Sequence, residues 1–419
     1  MLKAGFSRLE ITPPPGTCLA GYFGPRYAAG AADPLWVRAL ALDDGERRGL
    51  LLTFDLICLS GPQARAIRAG VRRQGLPDAA VHLCASHTHT GPATVALLGC
   101  TEEQAYRDFL IKQTLAAAAQ ALAALGPCRL SVGTGRGTGI AFNRRFWMQD
   151  GRVHTNPGLR NPAIVRPAGP VDEQVIVLLV EGKQGDVVVG NFALHLDTVG
   201  GSKVSADYPY WTGRTLAAAW PRPLEFIFAN GAFGDINHLD VTAEQRAPTR
   251  SIGEKLGEAM LAALARRRAV RPRLAFAAGG VVLRRRQLLP AELREAARVA
   301  AAAPTDSYQV EHVYARERLA LAALPRTLRA RVGAVALGTR LRLVFLPGEC
   351  FVEHGLTIKA ALGGITAVVG NADGSVGYVP TARAYQEGGY EVQAARSSQL
   401  APGSGERLVA AALALARGL

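Results

Sequence analysis

Four times in this chain an apolar run of buried-strand length stops abruptly at a cluster of polar side chains. The runs read AAVHLCASHTHTGP (79–92), VVVGNFALHLDTVGG (187–201), LEFIFANGAFGDINH (224–238) and LRLVFLPGECFVEHG (341–355). Apolar side chains at consecutive positions predict a strand covered on both faces. Segments with helical spacing lie between such runs, at 61–75, 101–125, 207–219 and 249–267, and GLLLTFDLICLS (49–60) adds a further strand. The alternation predicts an α/β fold of mixed β-sheets flanked by helices. In such folds the ends of strands are where sites are built.

Finer readings follow from caps and turns. Thr101 is placed to cap the 101–125 helix, with Glu102 and Glu103 in its first turn. RLAFAAGGVVLRRRQ (273–287) reads as a hairpin, and 290–325 reads as two helical stretches. ARVGAVALGTRLRLVFLPGE (330–349) reads as the last strand pair.

A formal charge of +14 raises the question of an anionic partner. The arginines are scattered or sit on predicted helix faces, and no RNA-recognition signature, zinc finger or basic zipper is present, so no specific nucleic-acid partner is expected. No apolar stretch reaches the ~18 residues that suggest a membrane span. The opening MLKAGFSRLEITPPPG reads as a strand and a Pro-rich turn and lacks the apolar core of a signal peptide. None of the six cysteines forms a CxxC pair, and Cys58 and Cys84 sit in strand-like runs. Buried reduced thiols and a cytoplasmic location are the expectation.

The strand ends carry the candidate chemistry. His87 and His89 are two apart, so an extended backbone turns both imidazoles to one side. They read either as metal ligands or as hydrogen-bonded loop histidines. His195 precedes a glycine turn and could be a ligand or a structural histidine. Asp235, Asn237 and His238 follow a strand in what could equally be a Gly/Asx turn. Glu349 follows Pro-Gly and either faces a site or favours the start of a helix. Taken together, His, His and Glu from three strand ends make the nitrogen/nitrogen/oxygen donor set of a hydrolytic zinc site with an open position. Such an ion lowers the pKa of its bound water to about 7 and polarises a carbonyl.

The blocks ITPPPGTCLAGY, ASHTHTGP, IAFNRR, NFALH, GDIN, LPGE and NADGSVGYVPTARAYQEGGYE run in this order along nearly the whole chain. In this the sequence resembles the neutral/alkaline, non-lysosomal ceramidases. The resemblance implies a zinc ion (Zn2+) held by His87, His195, Glu349 and Tyr378. It implies a substrate pocket lined by His89, Arg144 and Tyr390. His89 would pass the proton or stabilise the oxyanion, Tyr390 would donate to the oxyanion, and Arg144 would hold a substrate oxygen. Asp235 is assigned to orient a ligand histidine from behind. The family carries Ser in a GDVSPN-like block where this chain has Asn237, which removes a serine nucleophile and favours metal-activated water. The chain also stops about 30 residues after Glu391, so the expectation is one ceramidase-like domain over 1–419 without the C-terminal sandwich of ceramidases.

The activity so implied is zinc-dependent hydrolysis of a linear N-acyl amide, with a small-molecule N-acyl or lipid-like substrate. A zinc esterase or lactonase, or a zinc-containing binding protein on the same fold, are the alternatives. Only 6% of residues are aromatic and methionine is rare, which points to a smaller or more polar substrate than a long lipid.

Overall fold

The computed structural model describes residues 1–183, 185–271 and 273–419. Its centre is two packed sheets. The larger runs, edge to edge, through Leu224–Asn230, Asp186–Phe192, Gln174–Gly182, Gly126–Arg136, Lys3–Glu10, Trp36–Asp43, Arg48–Phe54 and Val81–Ala85. Each edge strand is parallel to its inner neighbour, and the pairs between are antiparallel. The smaller sheet orders Leu274–Arg284, Thr327–Leu337, Leu341–Phe345 and Ile365–Val369, the last two parallel.

Strand Gln174–Gly182 shows why both faces are apolar. Ile176, Leu178 and Val180 face the smaller sheet, packing in one cluster with Leu343, Phe345 and Val369. Val175, Val177 and Leu179 face the other way, onto Leu256, Met260 and Ala263 of helix Thr249–Ala265. The period of two therefore sorts one strand between two cores. Helices Gly61–Arg72 and Gln104–Ala123 cover the outer face of the larger sheet's other half through Ile67, Leu110 and Ala117. Helices Val352–Leu362 and Ser404–Arg417 cover the smaller sheet through Ile358, Leu408 and Ala412. The order is helices, sheet, sheet, helices, as the mixed-sheet reading predicts.

Helix Gly61–Arg72 starts at a capping box, Ser60 with Gln63. Helix Tyr208–Ala219 starts at Asp207, whose Oδ2 also accepts the Thr198 and Val199 amides at 3.0 Å each. That carboxylate pins the loop just beyond His195.

Two local expectations are corrected. The Gly279–Gly280 pair makes no turn: Leu274–Arg284 is one eleven-residue strand whose register with Thr327–Leu337 runs through both glycines. A continuous partner strand overrides the weak turn preference of isolated glycines. The second helix starts at Gln104 with Glu103 at its N-cap and no side-chain cap, so neither Thr101 nor a first-turn carboxylate serves it. The Glu103 carboxylate instead accepts the Cys18 amide at 3.1 Å.

The two edges of the larger sheet meet at the C-terminal ends of their strands. Asn230 Nδ2 donates to the Ser86 and Leu194 carbonyls, both at 2.9 Å. His87, after one edge strand, and His195, after the strand next to the other edge, are thereby brought to one place.

Candidate metal centre

His87 is held from both backbone and ring. Its φ is 82°, a left-handed conformation rare for a non-glycine residue and typical of functional sites. Its amide donates to the Leu56 carbonyl at 2.9 Å and its Nδ1 to the Ile57 carbonyl at 2.8 Å. His195 has Nδ1 at 3.1 and 3.2 Å from the carbonyl oxygens of Phe233 and Ile236. A ring that donates Nδ1–H to a carbonyl keeps its lone pair on Nε2, the arrangement common in metal-ligating histidines.

Both Nε2 atoms face Glu349 Oε2, at 3.3 Å from His87 and 3.4 Å from His195. That oxygen is buried and has no hydrogen-bond donor. Ligand atoms ~2.0–2.1 Å from a tetrahedral zinc stand about 3.3 Å apart, which both of these separations match. Burial opposes the charge on Glu349, but the facing His87 and His195 rings outweigh it and hold the carboxyl well below its usual range.

Glu349 is set in place by a two-residue strand, Glu349–Cys350, paired in parallel with Tyr378–Val379. The register puts Glu349 directly beside Tyr378. The adjoining helix begins only at Val352, with Glu353 as its first-turn acid, so Glu349 serves no helix N-terminus. Gly234 is obligatory here: a Cβ at that position would lie 2.3 Å from the Glu349 carbonyl oxygen.

His89 completes a three-histidine cluster, one ring nitrogen from each of His87, His89 and His195 lying within 4.8 Å of the others. This cluster could hold a metal ion. Neither nitrogen of His89 has a hydrogen-bond partner, although both are buried. Burial, with His87 nearby, pushes its pKa down to about 3, so the ring is neutral at physiological pH.

Arg144 is buried, and so is Arg145 beside it. The Arg144 guanidinium donates to Glu391 Oε1 at 2.7 Å, the Gly234 carbonyl at 2.7 Å and the Tyr378 hydroxyl at 3.0 Å, and its Nη1 lies 3.2 Å from His195 Nε2. Burial alone would lower its pKa, but Tyr378 and Glu391 raise it well above the usual value. Every arm of the fork is engaged within the protein, so Arg144 organises Tyr378 and His195 instead of presenting a free fork to substrate. Tyr390 stacks edge-on against Tyr378 at 5.7 Å. Burial raises the pKa of both tyrosines, keeping their hydroxyls protonated.

Asp235 does not do what was expected of it. Its carboxylate accepts the Val352 amide at 2.8 Å and Asn143 Nδ2 at 3.0 Å, and contacts no histidine. The GDIN segment does orient His195, but through the backbone carbonyl of Ile236, with that of Phe233 just before it. Asn237 is buried, its Nδ2 donating to Asn156 Oδ1 at 2.5 Å.

Glu391, fully buried, was missed from the sequence. It binds Arg144, faces Arg145 at 3.5 Å and accepts from Thr155 Oγ1 at 2.8 Å. Its only sequence signal is its place next to Tyr390. The carbonyl of Ile57, which holds His87, has no side-chain signal at all.

A cavity of about 270 Å³ opens onto the centre. His87, His89, Glu349, Tyr378 and Tyr390 line it together with the apolar Val95, Leu97, Leu98 and Leu324 and the polar Arg285, Arg396 and Gln399. Gly21 borders His89, and a Cβ there would stand 2.7 Å from the histidine Cβ.

No family model and no curated protein matches the sequence. Solved structures do match the fold. A neutral ceramidase from Pseudomonas aeruginosa superposes with a TM-score of 0.74 at 18% identity, over 100% of this chain and 75% of that one. A structure described as ceramidase complexed with C2 superposes with a TM-score of 0.74 at 17% identity, over 99% of this chain and 74% of that one. The chain has a neutral ceramidase-like fold.

Proposed function

We propose that this chain is a zinc-dependent hydrolase of linear N-acyl amides, with His87, His195, Glu349 and Tyr378 as the metal ligands. The observation that carries this reading is the pair of Nε2 atoms 3.3 and 3.4 Å from one unpartnered carboxylate oxygen. A zinc ion supplies Lewis acidity toward the carbonyl and a water of lowered pKa. The protein's own groups do the rest. His89, with neither ring nitrogen hydrogen-bonded, is assigned to pass the proton from the water to the departing amine or to stabilise the oxyanion. The Tyr390 hydroxyl, kept protonated, donates to the developing oxyanion. Arg144 keeps Tyr378 and His195 in place, and in a loaded site the His195 lone pair goes to the ion while the other Arg144 contacts persist.

The acyl group fits against the apolar residues of the 270 Å³ cavity, which supports a short acyl chain. The ligands come from both sheets, which supports reading residues 1–419 as one working unit. Six unpaired cysteines support a reducing compartment, and we place the protein in the cytoplasm. No helix among the described residues is long and apolar enough to cross a membrane.

Elemental analysis of the purified protein, together with turnover of short and long N-acyl amides and matched esters before and after chelation, tests the proposal. The expected result is about one zinc per chain and turnover of the short amide that chelation abolishes. A metal-free, inactive protein sinks the reading, and turnover of esters alone moves the bond from amide to ester.

A further inference from the structure

A second cavity, of about 250 Å³, lies beside the first, and Tyr22 lines both. It is not the apolar space in which an acyl chain would lie. Asp197, two residues beyond His195, and His238, next to Asn237, face each other across its wall at 3.3 Å between Oδ1 and Nδ1. The geometry is not that of a hydrogen bond, and both atoms are buried without a partner. His238 is 6% exposed. Each atom has only this poorly aligned charge contact with the other, and a ligand in the cavity can supply the hydrogen bonds that both lack. Asn156 Oδ1 accepts from Asn237, which leaves the Asn156 NH2 as a donor, and Arg246 stands at the rim. Phe146 and Leu159 make part of the remaining wall apolar.

We infer that this second cavity receives the amine half of the substrate, and that this half is a polyhydroxylated amine of the amino-sugar class. The inference rests on the hydrolase reading for which bond is cut, but not for what binds. The wall mixes a carboxylate acceptor with amide, imidazole and guanidinium groups, and a hydroxyl can both give and accept. A plain alkylamine leaves the Asp197–His238 pair unsatisfied. An amino acid brings its own carboxylate against Asp197. A sugar ring matches a wall that is polar on one side and apolar on the other. Arg144, the other cation lining the cavity, is already committed to Glu391, Gly234 and Tyr378 and does not reverse this preference.

Calorimetric titration of the full chain with glucosamine and with cyclohexylamine tests the inference without any turnover. Both probes are ammonium ions at neutral pH, so their ratio reads the hydroxyls. Glucosamine is expected to bind at least about tenfold more tightly, and Asp197→Asn or His238→Phe to bring the ratio close to one. Equal binding of the two amines to the unaltered protein, or no glucosamine binding, overturns the inference even if the variants fail to fold. A retained preference in both folded variants overturns the assignment to these residues. Hydrolysis of N-acetylglucosamine and N-acetylcyclohexylamine separates the two readings. Glucosamine binding without turnover of any amide leaves the cavity standing and fails the hydrolase. Turnover of both amides at equal rates does the reverse.

Discussion

Two buried carboxylates leave adjacent parallel strands of the smaller sheet, and they are treated in opposite ways. Asp373, after Ile365–Val369, is surrounded by donors. Arg331 Nη1 stands at 2.9 Å, His82 Nδ1 and the Leu83 amide at 3.1 Å, and Arg68 Nη1 at 3.4 Å. His82 is itself stacked on Phe345 at 4.2 Å. Glu349, after Leu341–Phe345, faces only imidazoles whose other nitrogens are already committed to carbonyls, and its Oε2 has no donor. Both carboxyls are held below the usual range against the cost of burial. Fixed guanidiniums complete the first arrangement within the protein. The second is left open within the protein, where a cation from outside could complete it. A buried acid with all its partners on the chain marks architecture, and one short of partners marks a site.

Four substitutions test that contrast. The largest effect is expected at the open carboxylate: His195→Ala should lower turnover by more than about 10³-fold and abolish stoichiometric zinc, while His82→Ala leaves zinc content unchanged. Metal analysis of the two purified variants checks this, and loss of zinc from both would erase the distinction. Next, Arg68→Ala breaks the closed cluster and should cost about 3 kcal/mol of unfolding free energy with zinc retained, read from denaturant melts. A loss under about 0.5 kcal/mol would mean that Arg331 and His82 alone satisfy Asp373. The smallest effect is on acid stability. The Asp373 pKa is lowered on folding, so its contribution is present above the unfolded value of about 4 and is lost as pH falls through the folded value. Arg331→Met brings the folded value back toward the unfolded one, and the acid-unfolding midpoint should rise by about half a pH unit.

Much of the fold was legible because strands covered on both faces leave an unbroken apolar signature. The helix read over 61–75 is Gly61–Arg72, and the one read over 207–219 is Tyr208–Ala219. The Gly279–Gly280 strand was misread because what decides it, a partner more than 40 residues away in sequence, leaves no local trace. For the site, residue type and strand-end position made His87, His195 and Glu349 candidates, the family resemblance joined them into one set, and the structure brings their side chains together. Asp235 could not be read correctly, since its carboxylate and the neighbouring Ile236 carbonyl compete for the same orienting role and only geometry shows which one faces His195. Glu391 and Asp197 went unread for a related reason: a lone acid looks the same in sequence whether it faces water or lies in a buried pocket.

The hydrogen bond from Asn230 to the Ser86 carbonyl spans 144 residues of sequence and closes one sheet edge on the other. Contacts between such distant segments form late in folding, because a long loop must close before they gain anything. A chain still emerging from the ribosome therefore carries His87, His89 and His195 well before Glu349 has been synthesised. The proposed donors are all in place only when both sheets are complete, so on the hydrolase reading metal loading would follow folding, and retention of an ion would report that the last strands have docked.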